Sequence, residues 1–399
     1  MLWPMGAKSA SPGRSEVDPE YAIEPNSPWG RLMKKSAEVS APPFRINRTS
    51  IVSHMTEGRW WVLGFVLLLV VAIPASFHAL APAALPLRLE TSMALPGFTG
   101  DFDHFAVDEK GGRLFLAGED HKTVEVFDLK ANRRIKSISG FGAPHGIFYL
   151  PESDRILVTD GDKGSLRILR GKDYSEEAHI EGLAGADSAR IDATTETLYV
   201  ITGGKDVPLD HSFVVAINLR TNEKAGELRM ESNHVEGLAL ESSSSRMFIN
   251  LTDKHAVAVV DRKAMKEIAR WPIGTQADNS PMAYDEPHRR LLIVCRKPGT
   301  LLVMDSDSGK VITQLPTAER SDDVAFDPAS GRIYVPGGDG RIFVFKQNAP
   351  DQYELLAKVT SEFGGKTCLL VPSLARFYVA VSPGDTKAAA KVLIYRVLS

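Results

Sequence analysis

The chain has 399 residues, 43% hydrophobic and 24% charged, with a formal net charge of −3. That balance is ordinary for a globular protein, and without an aromatic-interleaved basic patch it points away from nucleic acid as a partner. Two cysteines, neither in a CxxC arrangement, are too few for a disulfide framework, and no CxxCH is present to attach a c-type haem.

Residues 1–58 are rich in Pro and Ser (SPGRS, EPNSPWG, SAPPF) and show no sustained periodicity, the composition of a disordered leader. Arg59 then opens a stretch, residues 59–83, that holds no further charge; the next is Arg88. Its apolar run from Trp60 to Ile73 is 14 residues long, short of the roughly 20 that span a bilayer. Pro74 interrupts it, and Ala81-Pro82-Ala83 has the A-x-A form that signal peptidase cuts, so a signal peptide is expected. The leader is far too long for an ordinary n-region, whereas a start at Met55 gives a normal signal. Residues 1–54 are therefore expected to be missing from the native product. The alternative is a single-pass anchor, for which Lys8, Arg14, Arg31, Lys34, Lys35, Arg45, Arg48 and Arg59 satisfy the positive-inside rule. Either way the rest of the chain lies outside the cytoplasm, periplasmic or secreted, and touches membrane only through residues 60–80.

From residue 84 onward the chain repeats. Residues 321–345, SDDVAFDPASGRIYVPGGDGRIFVF, read as three short strands separated by the turn formers DPASG and GGDG, and YELLAKV follows as a fourth. The residue opening each second strand serves as a ruler: Arg113, Arg155, Thr197, Arg246, Arg290, Arg332 and Arg376. The steps between them are 42, 42, 49, 44, 42 and 44 residues, the length of a four-stranded propeller blade. Seven units predict an all-β, seven-bladed β-propeller. The last unit, ending KVLIYRVLS, has only three strands, and LRLETSMALPG at 87–97 looks like the missing fourth. The N-terminal strand should thus close blade 7 and remove the open edge.

The recurring A-x-D…R-[IL]-[YF]-V…V-x-V-[FIV]-D pattern, as in HFAVDEKGGRLFLAGEDHKTVEVFDL, resembles the YVTN-repeat, YncE-like β-propellers of bacteria over residues 87–399. The resemblance implies an extracytoplasmic propeller, often of unassigned activity, and since propellers host lactonases, lyases, electron-transfer partners and binding platforms it names no reaction.

Candidate site residues follow from the ruler. The residues just before each innermost strand ring the channel axis, and counting ten back (nine in blade 1) gives His104, His145, Asp187, Glu236, Ser280, Asp322 and Lys366, with Asp103, Asn279 and Asp323 beside them. All are polar and converge on a concave pocket, the usual setting of a ligand site. His104, His145 and Glu236, with Asp187 between them, have the chemistry to hold a divalent metal, which would polarise a carbonyl or activate water. The bland alternative is that such residues only satisfy loop backbone. Two long loops on the same face, 203–211 and 383–390, bring Asp206, Asp210 and His211 toward the rim.

Other features read as structural. Cys295 and Cys368 fall two blades apart and are expected as free buried thiols. The ruler arginines should each bridge turn carboxylates in their own hairpin. There is no GxSxG, no HExxH and no strand-to-helix phosphate loop, and the turn segments lack the dense acidic spacing of a calcium loop. The expectation is a monomeric, non-catalytic scaffold for a small ligand or a protein partner, with no cofactor assured. A metal-assisted hydrolase or lyase of lactone type and an electron-transfer accessory protein are the alternatives.

Overall fold

The structure, a computed structural model, describes residues 85–384 and 389–399. The leader, the Met55 start, the apolar stretch 59–83 and residues 385–388 of the blade 7 loop lie outside the described residues. Among the described residues no helix is long and apolar enough to cross a membrane.

Seven four-stranded antiparallel sheets follow one another around a ring, and each of the seven second strands begins at its ruler residue. The innermost strands are Phe105–Asp108, Pro144–Leu150, Ala189–Asp192, Val235–Leu240, Asn279–Asp285, Ala325–Asp327 and Gly365–Val371. Second and third strands are nearly continuous runs of buried Val, Ile, Leu and Phe, as in Arg290–Arg296 and Gly299–Asp305, because both sheet faces are covered by neighbouring blades. Outer strands alternate, as the exposed and half-buried pattern of Lys266–Pro272 shows.

Closure is as expected. Leu87–Ala94 pairs antiparallel with Lys391–Val397, from Leu87 opposite Val397 to Ala94 opposite Lys391, so blade 7 is built from both ends of the described chain. The core is correspondingly divided. Buried side chains form seven clusters, each shared by two adjacent blades, and the one joining blades 7 and 1 includes Met93, Phe105, Phe127 and Ile394. Both cysteines are free and buried.

The ruler arginines reach further than their own hairpins. Arg113 pairs with Asp108 in its hairpin at 2.7 Å and also with Asp154 of blade 2 at 3.3 Å. Arg155 donates to the Leu219 carbonyl and Asn222 of blade 3 at 2.9 and 2.8 Å. Arg246 reaches Ser306 and Asp307 of blade 5, Arg290 Asp351 of blade 6, Arg332 the Leu398 carbonyl of blade 7, and Arg376 Asn132 of blade 1. The expectation of a role confined to one hairpin is corrected: the long fork crosses to the following blade, where strand ends leave carbonyls without ladder partners. Blade 3 carries Thr197 instead, and there Arg262 of blade 4 reaches back to Asp192 at 2.7 Å.

Candidate functional site

Strand starts on one face place the ring. In blades 2 and 4 the ring residue is followed by glycine, Gly146 and Gly237. A Cβ on Gly237 would stand 2.5 Å from the Ser280 carbonyl oxygen, so only glycine lets the inner strands of blades 4 and 5 approach this closely. Second-strand side chains then tie the next blade's ring backbone: Thr159 Oγ1 donates to the Asp187 carbonyl at 2.9 Å and Asn250 Nδ2 to the Ser280 carbonyl at 2.8 Å. The ring is held by backbone contacts, leaving its side chains free to face the axis.

All seven ring residues line one axial chamber of about 890 Å³. Asp103 and Asp323 line it too, whereas Asn279 is fully buried and donates to Asn250 and the Ala256 carbonyl, a purely structural role. Of the rim residues, Asp206 lines the chamber together with Lys205. Asp210 and His211 pair with each other and do not line it, because Asp210 points outward and is 90% exposed.

Two ionic chains run round the chamber. One holds Asp103 between two imidazoles, with His145 Nδ1 at 2.7 Å and His104 Nε2 at 3.3 Å, and continues from His104 to Asp323 at 3.1 Å. The other runs from Lys366, between Asp101 and Asp322, through Arg296 to Glu236 at 3.7 Å, and ends on His234 at 2.6 Å. Burial works against charge on His104, but Asp103 and Asp323 outweigh it and push its pKa up to about 10. Burial likewise opposes, and Asp103 and Asp187 overcome, on His145, also at about 10. Both are imidazolium at neutral pH. Burial tends to raise Asp103 too, yet the two imidazoles hold it well below the usual carboxylate range. Burial and neighbouring carboxylates lift Asp187 and Glu119 to about 7. Among the described residues the Glu119 carboxylate makes no hydrogen bond or ion pair.

Among the described residues, the group that could hold a metal, with ligand atoms within 4.8 Å of one another, is Asp103, His145 and Asp187. It shares only His145 with the expected set of His104, His145 and Glu236. In this structure His104 and Glu236 are each engaged with other partners, Asp323 and His234.

No protein-family model and no curated protein matches the chain. Among solved structures it is similar to a chain of a mitotic checkpoint complex, at 13% identity and TM-score 0.65, covering 85% of this chain and 99% of that one. It is also similar to a chain of Kuenenia stuttgartiensis hydrazine synthase, at 14% identity and TM-score 0.60, covering 76% and 98%. These likenesses show the fold alone: the chain is a seven-bladed β-propeller.

Sequence reasoning missed Glu119, Arg190, Arg296 and His234. Two of them were within its reach. An antiparallel hairpin brings the end of the second strand beside the start of the first, so counting six forward from the ruler gives Glu119 in blade 1 and Arg296 in blade 5.

Proposed function

We propose that this propeller is a non-catalytic binding scaffold whose axial chamber holds a small ligand. The observation that carries it is the convergence of seven polar side chains, one from each blade, on a single chamber of about 890 Å³, within the roughly 300–1,000 Å³ usual for small-ligand sites. The ring's charges are mostly paired within the two ionic chains, largely with flanking residues such as Asp103, Arg296 and His234, which suits recognition better than an activated nucleophile. The resemblance of the repeat pattern supports reading the chain as a YVTN-repeat, YncE-like propeller. The apolar run before residue 84 and its A-x-A pattern support a location outside the cytoplasm; in this reading the propeller acts as a monomer, and a protein partner can dock over the same rim.

Native mass spectrometry of the full chain purified from its host tests the scaffold reading. A retained small-molecule mass that Asp187→Asn and Glu236→Gln both remove is the expected result; a bare chain in the wild type sinks it. N-terminal sequencing of the same preparation checks the Met55 start, which any peptide from residues 1–54 would reject.

The Asp103, His145 and Asp187 group favours a second reading, a metal-assisted hydrolase or lyase acting on a lactone or ester. Elemental analysis beside Asp103→Asn/His145→Ala separates the two. Near-stoichiometric metal lost in the variant supports the enzyme, and absence of metal from both removes it.

A further inference from the structure

The axial channel does not end at the ring. Further along the inner strands lies a second cavity of about 380 Å³, again in the usual ligand-site range. Its wall is less polar than the ring chamber's: Phe148, Phe326, Leu369 and Leu370, from blades 2, 6 and 7, put apolar side chains beside polar backbone there. His104, Arg190 and Asp323 line both cavities, so the two meet at their level.

At that junction the charges do not close. Asp323 takes His104 at 3.1 Å on one oxygen and accepts the Cys368 N–H at 2.8 Å on the other. Among the described residues Arg190 then has no carboxylate within ion-pair distance, and its one hydrogen bond donates from Nη1 to the adjacent Ala189 carbonyl at 2.8 Å. A guanidinium carries five N–H donors in a planar fork, and among the described residues only Nη1 has a protein acceptor, although Arg190 lines both cavities. Burial, only partly countered by Asp323, pulls its pKa below the ordinary value, as expected of a cation whose desolvation is not repaid.

We infer that the channel binds an amphipathic monocarboxylate, its headgroup on the Arg190 fork and its hydrocarbon body in the second cavity. The inference rests on the reading that the channel is a ligand site and adds the chemical class. A neutral apolar molecule would fill the lower cavity yet leave Arg190 unpaired. Phosphate or another multiply charged anion would satisfy Arg190 but leave the apolar side chains bare and crowd Asp323. A carboxylate matches the fork with two parallel hydrogen bonds and brings a single charge.

The test is calorimetry on the full chain in phospholipid nanodiscs, with empty nanodiscs as reference and octanoate, 1-octanol and acetate as probes. Octanoate should bind at one site, with octanol and acetate at least tenfold weaker. Arg190→Gln should weaken octanoate at least tenfold and leave octanol unchanged, and Arg190→Lys, which keeps the charge but loses the fork, should fall between. Leu370→Asp should weaken octanoate and octanol alike. Equal affinity for octanoate and octanol, or octanoate binding untouched in folded Arg190→Gln or Arg190→Lys, would overturn the inference. If either occurs while the ligand mass sensitive to Asp187→Asn is still retained, the scaffold reading survives and only the carboxylate class is lost.

Discussion

Charge is crowded at the axial ring to a degree that makes single residues pH-sensitive. His104 and His145 have pKa values of about 10 in the folded chain, against 6.5 ordinarily. A raised folded-state value means that their contribution to stability is complete below pH 6.5 and is lost as pH rises toward 10. The thermal midpoint should therefore decline across that window, and His145→Gln should flatten the decline. Asp187, at about 7 instead of 3.8, also binds its proton more tightly when folded. Stability should accordingly fall between those two values as pH rises, with Glu119 adding to the fall from 4.5 to about 7, and Asp187→Asn should reduce it. Differential scanning calorimetry across pH checks both, and a wild-type profile flat from pH 6.5 to 10 would refute the ion-pair assignment.

Blades are joined by two kinds of bond, apolar clusters inside and arginine forks at the strand ends. The fork at Arg246 meets a buried carboxylate, since Glu241 is 1% exposed and also receives Arg289 and the Tyr284 hydroxyl. Removing one partner of a buried pair leaves a charge uncompensated. Arg246→Met should cost about 2–3 kcal/mol by denaturant unfolding, less than a full buried pair because Arg289 remains. Arg220, 74% exposed and paired with exposed Glu196, should be replaceable by Ala with no measurable change, since such surface pairs contribute little. A comparable loss at both sites would show that the inter-blade crossing has no special weight.

The ring is complete only if blade 7 closes: without Leu87–Ala94 the strand Lys391–Val397 would be left as an unpaired edge. Leu87 and Met93 are each 1% exposed on the closing strand, and Met93 sits in the cluster that joins blades 7 and 1. Leu87→Ala should cost about 2–4 kcal/mol, the range for a large-to-small change in a tight core. Deleting residues 391–399 should be far worse, removing the third strand of blade 7 and the partner of the closing strand together. Loss of the cooperative unfolding transition and aggregation on gel filtration are the expected signs; a monomeric, cooperatively folded truncation would contradict velcro-like closure.

Much of this was legible in the chain itself. Blade number, strand starts, closure by Leu87–Ala94 and all seven ring positions follow from a period and an alternation, which are local properties repeated often enough to be measured with one ruler. Free Cys295 and Cys368 followed from the same spacing. What only the tertiary structure decided was pairing across blades. Asp103 and not Glu236 sits with His145, Glu236 turns instead to His234 and Arg296, and the arginine forks reach the next blade. Among the described residues Arg190 is left without a carboxylate in ion-pair distance, between the ring chamber and the second cavity. Those outcomes depend on the angle between neighbouring sheets and on side chains a blade or more apart in sequence, and a repeat period carries no information about either.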